Sequence, residues 1–180
     1  MINVTLVWDM DGVLADLSNG LAKLEGYDDP VLWYIHNYEI HGDYVYPKVI
    51  EKYLDQGCFE NLPPMPNHNQ VKALMMQLKA NGVNQRVLSS CMDYDYSDEI
   101  TRQKLVWLDK MFTGMFTRSE IDIVRGSSKK IEYIQDGYIL IDDYTRTQKT
   151  FIENGMGDQF IFYKNFYNML DILREKRIIL

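Results

Sequence analysis

The sequence predicts an α/β fold, a mainly parallel sheet with helices on both faces and a small helical cap inserted after the first strand. Three observations carry this. Five short apolar or β-branched runs, at 4–8, 86–89, 121–124, 138–141 and 160–163, are each bounded by polar or turn residues and read as buried strands. Helical patterns lie between several of them, and strands alternating with helices pair in parallel and are covered on both faces. The stretch 17–66 breaks the alternation. It is rich in Tyr and Trp, offers no convincing strand and stops at Pro63-Pro64-Met65-Pro66.

Taken in order, the first strand runs directly into Asp9-Met-Asp-Gly-Val-Leu-Ala-Asp16. Gly12 lets the chain turn sharply there and brings backbone close to a ligand. The insert then reads as a helical cap at 17–66, leaving 1–16 and 67–180 as the α/β core. Val71, Leu74, Met75 and Leu78 fall at helical spacing, and Asn81-Gly82 supplies the stop. The second strand ends in Ser89-Ser90. Ser97 reads as an N-cap, with Asp98 and Glu99 in the favourable first turn of a helix running to about Phe112. Ser127-Ser128 reads as a further helix start carrying an exposed pair, Lys129 and Lys130. The fourth strand ends in Asp142-Asp143, and a closing helix runs from Phe166 to about Lys176.

Composition narrows the function classes. The 180 residues, 46% hydrophobic and 13% aromatic, suffice for one domain with a modest insertion. A formal charge of −7 argues against a nucleic-acid polymer as partner, which asks for a basic face. Cys58 and Cys91 are too few for a disulfide framework, so a reducing, cytoplasmic setting is expected. No apolar stretch has the length of a membrane span, and the short N-terminal apolar run lacks a basic leader, so neither a membrane nor a signal peptide is expected. A homodimer stays open.

The chemistry concentrates at strand ends, where open α/β sheets bind ligands. Asp9 and Asp11 can divide a phosphate transfer between a nucleophile and metal ligand, Asp9, and a proton donor, Asp11. A calcium loop is excluded, because Val13 and Leu14 hold the fifth and sixth positions, where that loop needs an oxygen ligand and Gly. A plain polar turn is the bland alternative. Lys104 falls within the apolar stripe Ile100, Trp107, Leu108, Met111 of its helix, where an ammonium needs an anionic partner or must snorkel to solvent. His36, His41 and His68 show no paired zinc-ligand spacing.

Together, Asp9-x-Asp11, the hydroxyls after the second strand, a Lys, and Asp142-Asp143 after the fourth resemble the haloacid dehalogenase-like (HAD) superfamily of phosphohydrolases, a Rossmann-like fold. The wording of Asp9–Asp16, of Gly57-Cys-Phe-Glu-Asn-Leu-Pro-Pro-Met-Pro66, of Lys104-x-x-Trp107-Leu108 and of Leu140-Ile-Asp-Asp143 is similar to the 5′(3′)-deoxyribonucleotidase branch. The resemblance implies a magnesium-dependent phosphomonoesterase acting on nucleoside monophosphates through an aspartyl-phosphate. It implies Asp9, the backbone carbonyl of Asp11, Asp143 and Asp142 around Mg²⁺. Adjacent strand residues point apart, so Asp143 is favoured as the direct ligand and Asp142 as an indirect one. It further implies Ser89 bonded to a phosphate oxygen with Ser90 nearby, and Lys104 at the phosphate, with Lys129 or Lys130 competing for the lysine role. For the substrate, the cap aromatics Trp33, Tyr34, Tyr44, Tyr46 and Phe59 could stack a base or form the cap's own core, Phe59 foremost because the family phrase around it matches, and Arg146 after the acidic pair could touch substrate or sit solvated at a helix start. The sequence departs from that branch at Leu17, Cys58 and Ser89-Ser90-Cys91, which opens the base and sugar preference. A sugar phosphate or another small phosphate ester is the alternative substrate. A phospho-accepting receiver module is a third reading, disfavoured by the insert and by the position of the acidic pair.

Overall fold

The computed structural model describes residues 4–92 and 96–179. Its sheet has five parallel strands, β1 (Thr5–Trp8), β2 (Asn84–Cys91), β3 (Ile121–Arg125), β4 (Tyr138–Asp142) and β5 (Phe160–Phe162), in the order β3-β2-β1-β4-β5. The chain builds outward from β1 in one direction and then returns to its other side with β4. That reversal opens a crevice beyond the carboxyl ends of β1 and β4, the usual ligand position in such sheets. Register sets what meets there. Trp8 lies opposite Ile141 on one side and Val87 on the other, so Asp9 and Asp142 come next in line.

All five expected strands are present within a residue or two. β2 extends further than expected, through Ser90 and Cys91. Strand alternation divides the core. Leu6 and Trp8 face one cluster, with Met75 of α4 (His68–Ala80), Trp107 of α5 (Ser97–Met111) and Leu173 of the closing helix; Val7 faces another, with Leu88, Leu140, Phe151 and Phe160.

The stretch between β1 and α4 holds α1 (Leu17–Leu24), α2 (Pro30–His41) and α3 (Val45–Tyr53), with 3₁₀ turns at Gly42–Tyr44 and Leu54–Gln56. α2 starts where Asp29 accepts the Val31 N–H at 2.7 Å and Pro30 fixes the first turn. The buried residues of the insert, Leu21, Trp33, Val45, Ile50 and Phe59, join the same cluster as Leu6 and Trp8, so the insert is seated on the sheet. α5 fastens its return. The Gln103 amide donates to the Leu54 carbonyl at 2.8 Å and accepts the Phe59 N–H at 3.0 Å, and the Trp107 indole donates to the Leu62 carbonyl at 2.8 Å.

Two local expectations are corrected. Ser97 is the first residue of α5 and not its cap; its buried hydroxyl bonds nothing among the described residues. After Gly126, Ser127–Tyr133 is a 3₁₀ stretch, completed by helices α6 (Thr145–Glu153) and α7 (Phe166–Glu175) further along. The link 126–137 leaves the carboxyl end of β3, where Gly126 N–H bonds Cys91 O, and crosses the sheet face to the start of β4, with Lys130 turned inward while Lys129 faces solvent. Among the described residues no helix is long and apolar enough to cross a membrane.

Candidate active site

The loop after β1 is shaped by one carbonyl. Met10 O accepts the N–H groups of Leu14 and Ala15, both at 2.8 Å, and Gly12 N–H closes onto Ala15 O at 2.8 Å. Gly12 sits at φ +77°, and a Cβ there would lie 1.9 Å from Asp143 Oδ2. Only glycine permits both the left-handed turn and that approach. The loop thereby presents Asp9 and Asp11 side by side at the crevice.

Asp9 and Asp11 pair with different lysines, and Asp9 shares its lysine with Asp142. Lys130 Nζ, fully buried, lies 2.8 Å from Asp9 Oδ2 and 2.7 Å from Asp142 Oδ2. Asp9 Oδ1 accepts the Met10 N–H and Asp142 Oδ1 the Tyr144 N–H, both at 2.7 Å. Lys104 Nζ, also fully buried, pairs with Asp11 Oδ2 and donates to Ser89 Oγ at 3.0 Å and Ser90 O at 2.7 Å. It lies 5.0 Å from the centre of the Phe59 ring, within cation–π range. Asp11 Oδ1 is buried without a partner among the described residues.

The electrostatics follow from one ammonium facing two carboxylates. Burial resists the charge on Lys130, yet Asp9 and Asp142 outweigh it and hold the ammonium firmly protonated. Asp142 goes the other way. Its burial and the Asp9 charge outweigh its share of Lys130, so its carboxyl sits above the usual range. Asp11 is raised by burial and, to a lesser degree, by Asp9, against the pull of Lys104. Asp143 is pushed up to about 7 by burial and by Asp9, Asp142 and Asp11.

These groups floor a cavity of about 730 Å³. Asp9, Asp11, Ser90, Lys130 and Asp143 line its polar end, and Leu17, Tyr46, Ile50, Phe59 and Met65 form an apolar wall. Asp16, Ser18 and Lys164 add polar groups around the rim, with Ser18 and Tyr46 hydroxyls 2.8 Å apart.

The structure thus brings Asp9, Asp11, Lys104, Asp142, Asp143, Ser89, Ser90 and Phe59 to one place. Four expectations change. Lys130, expected at the surface, is the lysine between Asp9 and the acidic pair, while Lys104 holds Asp11; both are in the site. Trp33 does not reach the cavity. It is wholly buried, its indole donates to Glu25 at 3.1 Å, and its ring meets Tyr46 edge-on at 5.6 Å, so that of these two rings Tyr46 is the one facing the cavity. Arg146 is exposed on α6, near the Tyr144 ring at 5.9 Å, and does not line the cavity. Ser89 is fully buried against Lys104, so of the two serines it is Ser90 that faces the cavity. Tyr163 and Lys164 follow β5 to the same edge; their position one strand beyond the acidic pair was the available sequence signal.

No protein-family model matches the chain, and no curated protein matches it. Solved structures do. A hydrolase from Streptococcus pneumoniae TIGR4 superposes with a TM-score of 0.51 at 15% identity, over 97% of this chain and 100% of its own. A candidate phosphatase from Clostridium difficile superposes with a TM-score of 0.52 at 16% identity, over 96% of this chain and 99% of its own. The fold is theirs. A candidate haloacid dehalogenase-like hydrolase from Burkholderia xenovorans LB400 is similar at a TM-score of 0.49 and 12% identity, and adds nothing to that conclusion.

Proposed function

We propose that the chain is a HAD-type phosphomonoester hydrolase acting on nucleoside monophosphates. The observation that carries the proposal is the pair Asp9 and Asp11, each held by a different buried lysine at the mouth of the sheet crevice. An Asp9 carboxylate oxygen attacks phosphorus, the bond from phosphorus to the ester oxygen breaks, and Asp11 gives its proton to the departing alcohol. Water then attacks the aspartyl-phosphate and gives a proton back to Asp11, and the P–O bond to Asp9 breaks, releasing phosphate. Asp11 suits the acid role because its carboxyl is raised and one oxygen lacks a partner. The Ser90 hydroxyl, which faces the cavity, supports a contact to a phosphate oxygen, while Lys104, its three N–H groups engaged by Asp11, the Ser89 hydroxyl and the Ser90 carbonyl, supplies positive charge from beneath.

A divalent cation fits the residues present. Oxygens of Asp9, Asp142 and Asp143 lie within 4.8 Å of one another, more negative charge than Lys130 balances, and Asp143 makes no hydrogen bond among the described residues. Asp9 and Asp143 would hold Mg²⁺, while Asp142 is occupied by Lys130 and the Tyr144 N–H. The ion would screen the repulsion between a phosphate dianion and the Asp9 carboxylate.

The apolar wall of Leu17, Tyr46, Ile50, Phe59 and Met65 supports a flat, weakly polar leaving group such as a nucleoside. A sugar phosphate is the second reading, favoured by Asp16 and the Ser18 and Tyr46 hydroxyls on the same side. Phosphate release from ribo- and deoxyribonucleoside monophosphates and sugar phosphates, with Mg²⁺ or EDTA, tests both. Magnesium-dependent release favouring nucleotides supports the proposal. Release from sugar phosphates alone replaces the substrate, and release from nothing removes the hydrolase reading.

A further inference from the structure

Helix α2 is built inside out. Its buried side is only Trp33 and Asn37, whereas its solvent side carries Val31, Ile35 and Tyr38 at i, i+4, i+7, flanked by Leu32 and Tyr34. Val31, Leu32 and Ile35 are 63%, 59% and 51% exposed, and Tyr34 stacks on Tyr38 at 5.9 Å between ring centres. These five side chains expose on the order of 500 Å², the upper range for the largest apolar patch on a monomer and often a functional one. Glu39 is the only charge within that arc.

We propose that this face pairs with the same face of a second copy of the chain, α2 against α2, antiparallel across a two-fold axis. The face is self-complementary. Its centre lies between Tyr34 and Ile35, so a two-fold there sets Val31 against the partner's Tyr38 and Tyr34 against the partner's Ile35, small against large in each pair. The same axis brings Asp28 to the partner's His41, and it opposes the two helix dipoles. Two such patches bury on the order of 1,000 Å² in all, the threshold for a specific interface and the size of a weak, reversible one. Charge argues against a lipid surface as occupant. No Lys or Arg occurs from Asp28 to Pro47, and the chain carries −7, whereas surface helices reach anionic membranes through basic residues. Behind the face, Trp33 packs on Tyr46, so pairing would brace one wall of the cavity from outside.

Analytical ultracentrifugation of the full chain across micromolar concentrations tests the proposal, with Ile35→Glu as the disrupting variant and circular dichroism as the check on folding. The expected result is a dimer whose dissociation constant rises at least tenfold in Ile35→Glu. A second variant, Val31→Cys/Tyr38→Cys, covers the case in which Ile35→Glu misfolds. The two positions lie roughly 10 Å apart on one helix, too far for a bridge within a chain, and the native Cys58 and Cys91 are buried. Mild oxidation should therefore link two chains through this face. A monomer at every concentration, a dimer that Ile35→Glu leaves unchanged in the folded state, or absence of the cross-link overturns the proposal. So does a monomer that binds neutral lipid vesicles through Ile35.

Discussion

Replacing Lys130 by Met removes the ammonium shared by Asp9 and Asp142 and keeps most of the buried stem. Two carboxylates then face each other in a buried site with no cation, and the cheapest remedy is to protonate one. For Asp142, whose ordinary value is 3.8, holding the proton in the folded state at about pH 7.5 costs about 5 kcal/mol, from 1.36 kcal/mol per pH unit of separation. That sets the ceiling on the defect, and it agrees with the ~3–5 kcal/mol seen when a buried pair loses one partner. At about pH 5 wild type already holds that proton, because Asp142 is raised to about 6 even beside Lys130, so the defect nearly vanishes there. The sign follows from the raised carboxyl: its stabilising proton is fully present below the ordinary value and is lost as pH rises. Urea denaturation in EDTA at both pH values measures the difference, with exposed Lys129→Met as a control expected to stay within about 0.5 kcal/mol of wild type. A Lys130→Met defect that is the same at both pH values, or below about 1 kcal/mol at the higher one, would refute the shared-cation reasoning.

Other outcomes follow from the same geometry. Mg²⁺ at a hundredfold excess over its dissociation constant should add about 2.7 kcal/mol, a melting-temperature rise of about 8 °C for a chain of this size. Asp143→Asn should abolish most of that rise in a thermal scan. In EDTA, the Asp143 carboxyl, raised to about 7, favours the folded state below its ordinary 3.8, and that contribution disappears as pH rises through about 7; wild type should therefore lose stability relative to Asp143→Asn between about pH 4 and pH 7, and a wild type that gains on the variant over that range would contradict it. Gly12→Ala should cost at least about 1–2 kcal/mol for the left-handed backbone and, by displacing Asp143, weaken the Mg²⁺-induced shift as well. Trp33→Phe should cost about 1–3 kcal/mol of stability with KM unchanged within twofold, whereas Tyr46→Ala should raise KM severalfold in the phosphate-release assay.

How much of this was legible depended on whether the signal was local. The strands were, because each is a short apolar run cut off by polar residues. Asp9, Asp11, Asp142 and Asp143 were, because strand ends in a parallel sheet share an edge and Gly12 marks a close approach. Lys104 was too, since an ammonium in an apolar stripe must find an anion. Lys130 was not. Beside exposed Lys129 it read as half of a solvated pair, and only the path of the link from β3 to β4, tied down at Gly126, turns it inward. Ser89 read as the phosphate contact ahead of Ser90, and only the way β2 presents its alternating side chains shows that Ser90 is the one facing the cavity. Trp33 and Tyr46 were equally plausible cap aromatics in sequence, and packing alone put the larger ring behind and the phenol in front. The solvent face of α2 was hidden for another reason: apolar residues all round a helix read as a core helix until a structure shows which side is bare.

The two lysines also bear on how identical side chains take opposite parts. Asp9 has a donor on each oxygen, an ammonium and the Met10 N–H, which fixes its orientation. Asp11 has its ammonium on one oxygen only, and the other is buried and bare, the position where a proton can reside. Lys104 opposes that protonation while it faces Asp11 alone. A phosphoryl group arriving beside Lys104 would draw part of its charge away, and the remaining balance, burial plus the neighbouring Asp9, favours the acid form. Substrate would then arm the donor that its departing oxygen requires, and an Asp11 left without substrate would stay in its ion pair.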